Sequence, residues 1–195
     1  MRYPADHPDR TRHRILDQAG RLFRRHGYRG VGIERVMAAA RLTRGGFYGY
    51  FRSKAALFAE VLQGEHGFVR LMRTRSGHDR ATLAREARRI VRNYLHPAHR
   101  ERVGRGCYFV SVATDVARSP RPARRAFEAQ VLALAHEFER GLEDPSHLDA
   151  RALAAMALCV GGLTLARAVD DEALAAALLD AAREAAERQL EAGAP

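Results

Sequence analysis

The fold is decided by residues 42–58, which read LTRGGFYGYFRSKAALF. Three of these residues are glycines, and each glycine costs up to about 1 kcal/mol relative to alanine inside a helix. A helix with three glycines is therefore destabilised, and the best explanation for the glycines is that the helix backbone approaches a surface closely. We therefore predict a short helix over residues 43–50 that lies against another molecule. A glycine-rich loop is the alternative.

A second short helix precedes this stretch. Apolar residues repeat there at helical spacing over about two turns, at Ile33, Val36, Met37 and Ala40. Only residues 41–43 join it to the next helix, which gives the proportions of a helix-turn-helix. In such a unit the second helix lies in the major groove of DNA, and its N-terminal residues face the base edges.

Three side chains of the predicted recognition helix have the chemistry to bind DNA. Thr43 is an N-cap residue type whose hydroxyl, with the N–H groups of the first turn, can hold a phosphate. Arg44 is the one long donor placed to reach guanine O6 and N7 in a bidentate pair. Tyr48 can give its hydroxyl to a phosphate while Phe47 and Phe51 pack inward.

Lys54 is the only lysine in a chain that has 32 arginines. It follows Ser53, a good N-cap, at the start of a further helix, where the helix dipole favours an anion. A cation at this position is unfavourable unless a phosphate binds there too. We therefore predict that Lys54 contacts a phosphate; an ordinary surface lysine is the alternative.

Helical periodicity continues through the rest of the chain, and no segment has the pattern of a strand. The fourth helix is expected to be long and to run from Ser53 to about Ser76. The pattern predicts an all-α protein of two parts. Residues 8–54 are expected to form a three-helix DNA-binding domain, and residues 55–195 a larger helical-bundle domain that is connected to it through the fourth helix.

The net charge of +10 is confined to the first two fifths of the chain. Residues 1–77 hold 16 basic and 6 acidic side chains, whereas residues 78–195 hold 17 of each. A basic field at one end suits phosphate binding, because each neutralised phosphate releases condensed counterions. An arginine-rich genome would explain the arginine count but not this asymmetry.

Residues 11–63 resemble the DNA-binding domain of the TetR/AcrR family of bacterial repressors. The matching stretches are TRHRIL at 11–16, LFRRHGY at 22–28 and the stretch quoted above. The resemblance implies an all-α homodimer that binds palindromic double-stranded operator DNA. It also implies a C-terminal body that binds a small-molecule effector and dimerises.

The same resemblance implies DNA contacts for particular residues: phosphates for Thr43, Tyr48 and Lys54, and base edges for Arg44 and Gly45. Two positions depart from the family pattern. The second helix opens on Val31-Gly32, where the family usually has Thr or Ser, so the capping hydroxyl is missing. Tyr50 stands where the family often has His, and a phosphate contact from Tyr50 is still expected.

The last two predicted helices, about residues 148–168 and 172–190, are rich in alanine. Small residues allow helices to approach closely, as in an antiparallel pair that doubles into a four-helix bundle. Gly161-Gly162 lowers helix stability unless something packs against the bare backbone. We expect a homodimer through these two helices, with the second subunit rather than a ligand cavity covering the glycines.

A second set of candidate residues concerns ligand binding and sensing. Cys107 follows Gly106 near Arg102 and Arg105 at a predicted helix N-terminus, and both features lower the pKa of a thiol. A small buried residue is the more ordinary interpretation of this cysteine. The residues that we expect to line a ligand pocket or to sense are Tyr94, Cys107, Phe127 and Met156.

The sequence does not favour several other classes of protein. The motifs of known catalytic sites are missing, so we expect no enzyme and no cofactor. His96 and His99 flank Pro97-Ala98, which is a turn more often than a metal pair, and the two cysteines are far apart. No apolar leader or membrane span is evident, and we expect a cytoplasmic protein.

The sequence predicts a ligand-responsive transcriptional repressor that binds its operator as a homodimer. Three alternatives stay open. One is a DNA-binding protein of the same fold that activates transcription, or bends DNA without a small ligand. Another is a DNA-binding regulator that is switched by oxidation or alkylation of Cys107. The third is a cysteine-dependent redox protein, in which the basic N-terminal part has no role in DNA binding.

Overall fold

The structure is a computed structural model that describes residues 7–64, 67–103, 106–143 and 148–191. These residues form ten α-helices and one 3-10 helix and contain no strand, so the all-α prediction is confirmed. The elements are α1 (His7–His26), α2 (Ile33–Ala39), the 3-10 helix (Arg44–Gly49), α3 (Lys54–Gln63), α4 (Gly67–Arg73), α5 (Arg80–Tyr94), α6 (Pro97–Arg100), α7 (Tyr108–Ala117), α8 (Arg121–Glu139), α9 (Ala150–Ala168) and α10 (Glu172–Gln189).

The chain divides into two compact units. The first comprises Met1–Gly64 with Ser111–Glu128, and the second comprises Glu65–Val110 with Ala129–Pro195. Helices α7 and α8 therefore contribute residues to both units. The predicted boundary between residues 54 and 55 differs from this division, because the first unit continues to Gly64 and takes in a segment from later in the chain.

The predicted long fourth helix is wrong. Helix α3 ends at Gln63, and α4 is a separate helix that begins at Gly67. Gly64 has φ −61° and ψ 148°, an extended conformation that interrupts the helical hydrogen bonds. The apolar stripe that suggested one helix is therefore shared by two helices.

The first unit has a small apolar core. Helix α1 packs against α2 and α3, and α2 packs against the 3-10 helix. Phe47 and Phe51 are 0% and 4% exposed, which confirms that both rings point inward. Phe23 packs edge-on against Phe58, with ring centroids 5.1 Å apart. These contacts fix the short elements that are too brief to be stable alone.

The second unit is built around the pair α9 and α10. A Cβ atom at Gly162 would lie 2.3 Å from Cβ of Ala182, so the glycine allows these two helices to touch. The expectation that a second subunit covers Gly162 is wrong, because α10 of the same chain does so. By length and composition α9 is apolar enough to cross a membrane, but six of its residues, among them Cys159, Leu163 and Ala166, are buried in this unit.

Among the described residues of the second unit, Arg75 has the most buried charged side chain, with 1% of it exposed. Its guanidinium donates to the carbonyl oxygens of Met72, Leu83 and Glu137 and to the Glu137 carboxylate. Burial lowers the pKa of Arg75, and Glu137 partly offsets this effect. The arginine thus ties the end of α4 to α5 and α8.

We predict that Arg75→Met lowers the free energy of unfolding by about 3 kcal/mol, because three carbonyls and a carboxylate lose a buried donor. Urea unfolding followed by circular dichroism measures the change. Arg92→Met is the matched control. Arg92 pairs with Glu187 but is 58% exposed, so its loss should cost about 0–1 kcal/mol. Equal effects of the two substitutions would contradict the assigned role of Arg75.

Candidate DNA interface and ligand cavity

The turn of the helix-turn-helix is formed by a residue that the sequence did not reveal. Arg41 has a φ of 56°, the left-handed conformation that glycine usually adopts after a helix. Its N–H donates to the Ala38 carbonyl, and the Leu42 N–H donates to the Met37 carbonyl. These two bonds form a Schellman motif, which ends α2 and turns the chain into the 3-10 helix.

The predicted recognition helix over residues 43–50 is a 3-10 helix over Arg44–Gly49. Its glycines disfavour an α-helix, and the tighter 3-10 form is common in short segments. Thr43 precedes it and its side chain caps no backbone N–H. A Cβ atom at Gly45 or Gly49 would meet nothing within 4 Å, so this backbone is open on that side.

Arg44 forms an ion pair with Glu34, which lies in the first turn of α2. The two side chains are 69% and 68% exposed. An exposed pair of this kind contributes only about 0–1 kcal/mol, so the guanidinium can leave Glu34 at little cost. Glu34 therefore holds Arg44 at the surface of the helix-turn-helix without burying it.

The two tyrosines of the stretch differ in exposure. Tyr48 is 66% exposed, and its ring meets Phe47 edge-on at a centroid distance of 5.3 Å. Tyr50 is only partly exposed. Thr43, Arg44, Gly45 and Tyr48 thus share the exposed surface of one short segment, whereas Tyr50 is less accessible.

Lys54 has structural partners in addition to its predicted phosphate. Its ammonium donates to the carbonyl oxygens of Tyr28 and Val31, both at 2.8 Å, and lies 4.2 Å from the centre of the Tyr28 ring. Burial lowers the pKa of Lys54, and Asp115 acts in the opposite direction. An ammonium has three N–H donors, so one is left for a phosphate.

The loop between α1 and α2 has a second anchor within the first unit. The Asp115 carboxylate on α7 accepts a hydrogen bond of 2.7 Å from the Tyr28 N–H. Gly27 has a φ of 68°, and a Cβ atom there would lie 3.0 Å from the same carboxylate. Glycine is therefore required at position 27 both for the backbone conformation and for the approach of Asp115.

The sequence analysis missed Arg41, Glu34 and Asp115. A non-glycine residue in the left-handed conformation leaves no pattern in a sequence. Glu34 had a weak indicator, because it is one of six acidic residues among the first 77 and begins a helix next to the recognition segment. Asp115 lies far along the chain, and only the tertiary structure brings it to Tyr28.

The candidate ligand residues are divided between the two units. In the second unit Tyr94 and Cys107 line one cavity of about 190 Å³, together with Gly67, Phe68, Leu71, His99 and Gly106. Phe127 belongs to the first unit, and Met156 lies on α9 outside this lining. In the described part of the chain, no group of three or more His, Cys, Asp or Glu side chains is arranged to hold a metal ion.

The lowered thiol pKa that the neighbouring arginines and helix N-terminus suggested for Cys107 is not found, whereas the more ordinary interpretation, a small buried residue, agrees with the structure. Burial raises the pKa of the Cys107 thiol, and this outweighs the opposing effects of Tyr94, the N–H groups of Val110 and Phe109, and Arg167. The residue is 6% exposed. The small buried residue is therefore the better interpretation of Cys107.

A helix-turn-helix with an exposed basic segment defines the first unit as a domain of the DNA-binding class. Residues 15–61 match the family described as bacterial regulatory proteins, tetR family. The match covers about a quarter of the chain and lies within the first unit.

Curated relatives match parts of the chain. One is the HTH-type transcriptional repressor SCO4008 of Streptomyces coelicolor, 41% identical over 56 residues, which are 29% of each chain. Another is the HTH-type transcriptional repressor DhaR of a Mycobacterium species, 28% identical over 106 residues, which are 54% of this chain and 52% of the relative. The chain thus matches about half or less of the length of these relatives.

Solved structures show the same fold over nearly the whole chain. A TetR transcriptional regulator from Chloroflexus aurantiacus is 24% identical with a TM-score of 0.69, and 92% of this chain and 93% of that chain are covered. The reduced form of NemR from E. coli is 20% identical with a TM-score of 0.68, at coverages of 91% and 95%.

We predict that Lys54→Met lowers the free energy of unfolding by about 2–4 kcal/mol, because two carbonyls lose a charged donor. Chemical unfolding of the variant without DNA measures the effect. The neighbouring Arg52 is exposed, and Arg52→Met should change the stability by no more than about 0.5 kcal/mol. If Lys54→Met is as stable as the wild type, Lys54 is an ordinary surface lysine, which is the alternative interpretation given above.

Proposed function

We propose that the chain is a homodimeric transcriptional repressor that binds a palindromic DNA operator and releases it when a small molecule binds to the second unit. The observation that carries this proposal is the shared exposure of Thr43, Arg44, Gly45 and Tyr48 on a helix-turn-helix that resembles those of bacterial regulators. We also propose that it acts in the cytoplasm, where DNA is accessible, and has no enzymatic activity.

The proposed base contact is made by Arg44. In the free protein its guanidinium is paired with the Glu34 carboxylate, and in the complex it donates to guanine O6 and N7. The exchange replaces a weak exposed ion pair with two hydrogen bonds to one base. Gly45 has no side chain to hold the neighbouring backbone away from the base edges.

The proposed phosphate contacts surround this base contact. Thr43 has a hydroxyl that caps no backbone N–H at the start of the 3-10 helix, and Tyr48 has an exposed phenol. Lys54 offers its third N–H, and Tyr50 a partly exposed hydroxyl. Such contacts set the register on the duplex, and base contacts then specify the sequence.

The proposed dimer uses the outer faces of α9 and α10. Exposed or half-buried small and apolar residues recur on α9 at helical spacing, at Ala157, Gly161, Leu165 and Ala168. A similar stripe on α10 comprises Leu174, Ala177, Leu178 and Ala181. Leu165 and Leu174 are 55% and 49% exposed, which is unusual for leucines on such helices. Two copies of this helix pair would bury both stripes in a four-helix bundle.

We predict that Arg44→Ala weakens binding at the preferred operator by about 1–3 kcal/mol and relaxes the choice of base at one position. Footprinting on the DNA that flanks the gene locates the operator, and fluorescence anisotropy on that site measures the affinity at several salt concentrations.

Two variants make this experiment specific. Arg92→Ala removes the same charge from an exposed site in the second unit and should leave base preference unchanged. Glu34→Gln removes the competing carboxylate and should tighten DNA binding. Wild-type affinity and base preference in Arg44→Ala would contradict the proposed base contact.

For the dimer, we predict that Leu165→Glu gives a folded monomer, because a buried and unpaired carboxylate is not tolerated in an apolar interface. Light scattering after gel filtration should give twice the chain mass of 21.7 kDa for the wild type and the single mass for the variant. Val103→Glu alters an exposed apolar residue outside the stripes and should remain dimeric. A monomeric wild type, or a dimeric Leu165→Glu, would exclude this interface.

A further inference from the structure

The cavity beside Tyr94 has aromatic walls and a cationic margin. The rings of Phe68 and Tyr94 are stacked, with centroids 4.0 Å apart, and His99 meets Tyr94 edge-on at 4.7 Å. A more open cavity of about 380 Å³ shares Leu71, Tyr94 and His99 with it and is also lined by Arg102. The residues that line the two cavities, all in the described part of the chain, include no carboxylate.

Two buried donors, one in the lining of this cavity and one behind its wall at Gly106, lack a nitrogen or oxygen partner in the described residues. The hydroxyl of Tyr94 is one, and its neighbour is the Cys107 thiol, a weak hydrogen-bonding group. The other is Nη1 of Arg167 on α9. The remaining guanidinium nitrogens are occupied, since Nε donates to the Arg100 carbonyl at 3.0 Å and Nη2 to the His99 carbonyl at 2.7 Å.

Arg167 also lacks a carboxylate partner among the described residues, unlike its neighbour Arg100, which pairs with Glu172. Burial lowers the pKa of Arg167, and Tyr94 and Cys107 act in the opposite direction. An arginine nevertheless keeps its charge in proteins, and an unpaired buried charge is costly. Burial also lowers the pKa of His99, so the positive charges here are those of Arg167 and, at the open margin, Arg102.

Gly106 is the residue of the cavity wall that lies against the Arg167 guanidinium. A Cβ atom at position 106 would lie 2.6 Å from Nη2 and 3.2 Å from Nη1 of Arg167. With no side chain at Gly106, the guanidinium lies directly against the cavity lining. The Gly106-Cys107 pair is explained by this approach rather than by activation of the thiol.

We propose that this cavity binds a small aromatic carboxylate. Arg167 Nη1 and the Tyr94 hydroxyl donate to the carboxylate, and the ring packs against Phe68 and Tyr94. The ligand supplies the counter-charge that the fold does not, and its flat apolar body suits the stacked wall. This inference rests on the proposed ligand response and gives the effector its chemical class.

Isothermal titration calorimetry of the purified full-length protein with benzoate tests the proposal, with benzamide as the neutral probe of the same shape. We expect saturable binding of benzoate and about tenfold or more weaker binding of benzamide, because the charged hydrogen bonds are lost.

Two substitutions separate the site from general effects on folding. Tyr94→Phe removes a hydroxyl whose neighbour is the weakly hydrogen-bonding Cys107 thiol, so its thermal stability should stay close to that of the wild type while benzoate binds about tenfold more weakly. Arg167→Met removes the charge and should abolish the preference for benzoate over benzamide. Because Arg167 also donates hydrogen bonds to two carbonyls, the unfolding temperature of Arg167→Met is measured first. If Arg167→Met does not fold, benzoate binding by Tyr94→Phe decides whether the proposal holds.

The proposal is overturned if wild-type protein does not bind benzoate saturably, if benzamide binds equally well, or if Tyr94→Phe binds benzoate as the wild type does. Operator affinity with and without benzoate is measured separately. Benzoate that binds without changing operator affinity leaves the site intact and contradicts the ligand response. Loss of DNA binding in all conditions would contradict the proposed repressor instead.

Discussion

The loop between α1 and α2 is the constraint on which the helix-turn-helix depends. Lys54, at the start of α3, donates to the Tyr28 and Val31 carbonyls of this loop. Asp115 on α7 accepts a hydrogen bond from the N–H of Tyr28. Gly27 provides the left-handed turn that brings the loop to both groups. Because the loop sets where α2 begins, it also sets the direction of the short recognition segment that follows.

The two arginines that matter most differ in how their charge is balanced. Arg44 is exposed and has a carboxylate partner, Glu34, so it can exchange that partner for DNA at small cost. Arg167 is partly buried and has only carbonyl partners in the described residues, so it gains most from an incoming anion. The exposed arginine suits a reversible DNA contact, and the buried one suits recognition of a small charged ligand.

The sequence alone determined the helical class, the helix-turn-helix and its exposed residues, because these follow from local periodicity, glycine content and a run of adjacent residues. It was wrong about the long fourth helix, the cover of Gly162 and the Cys107 pKa, and it missed Arg41, Asp115 and Arg167. Each of these depends on groups far apart in the chain or on backbone conformation. Desolvation, close packing and unpaired charge arise only when distant segments meet, so only the tertiary structure decided them.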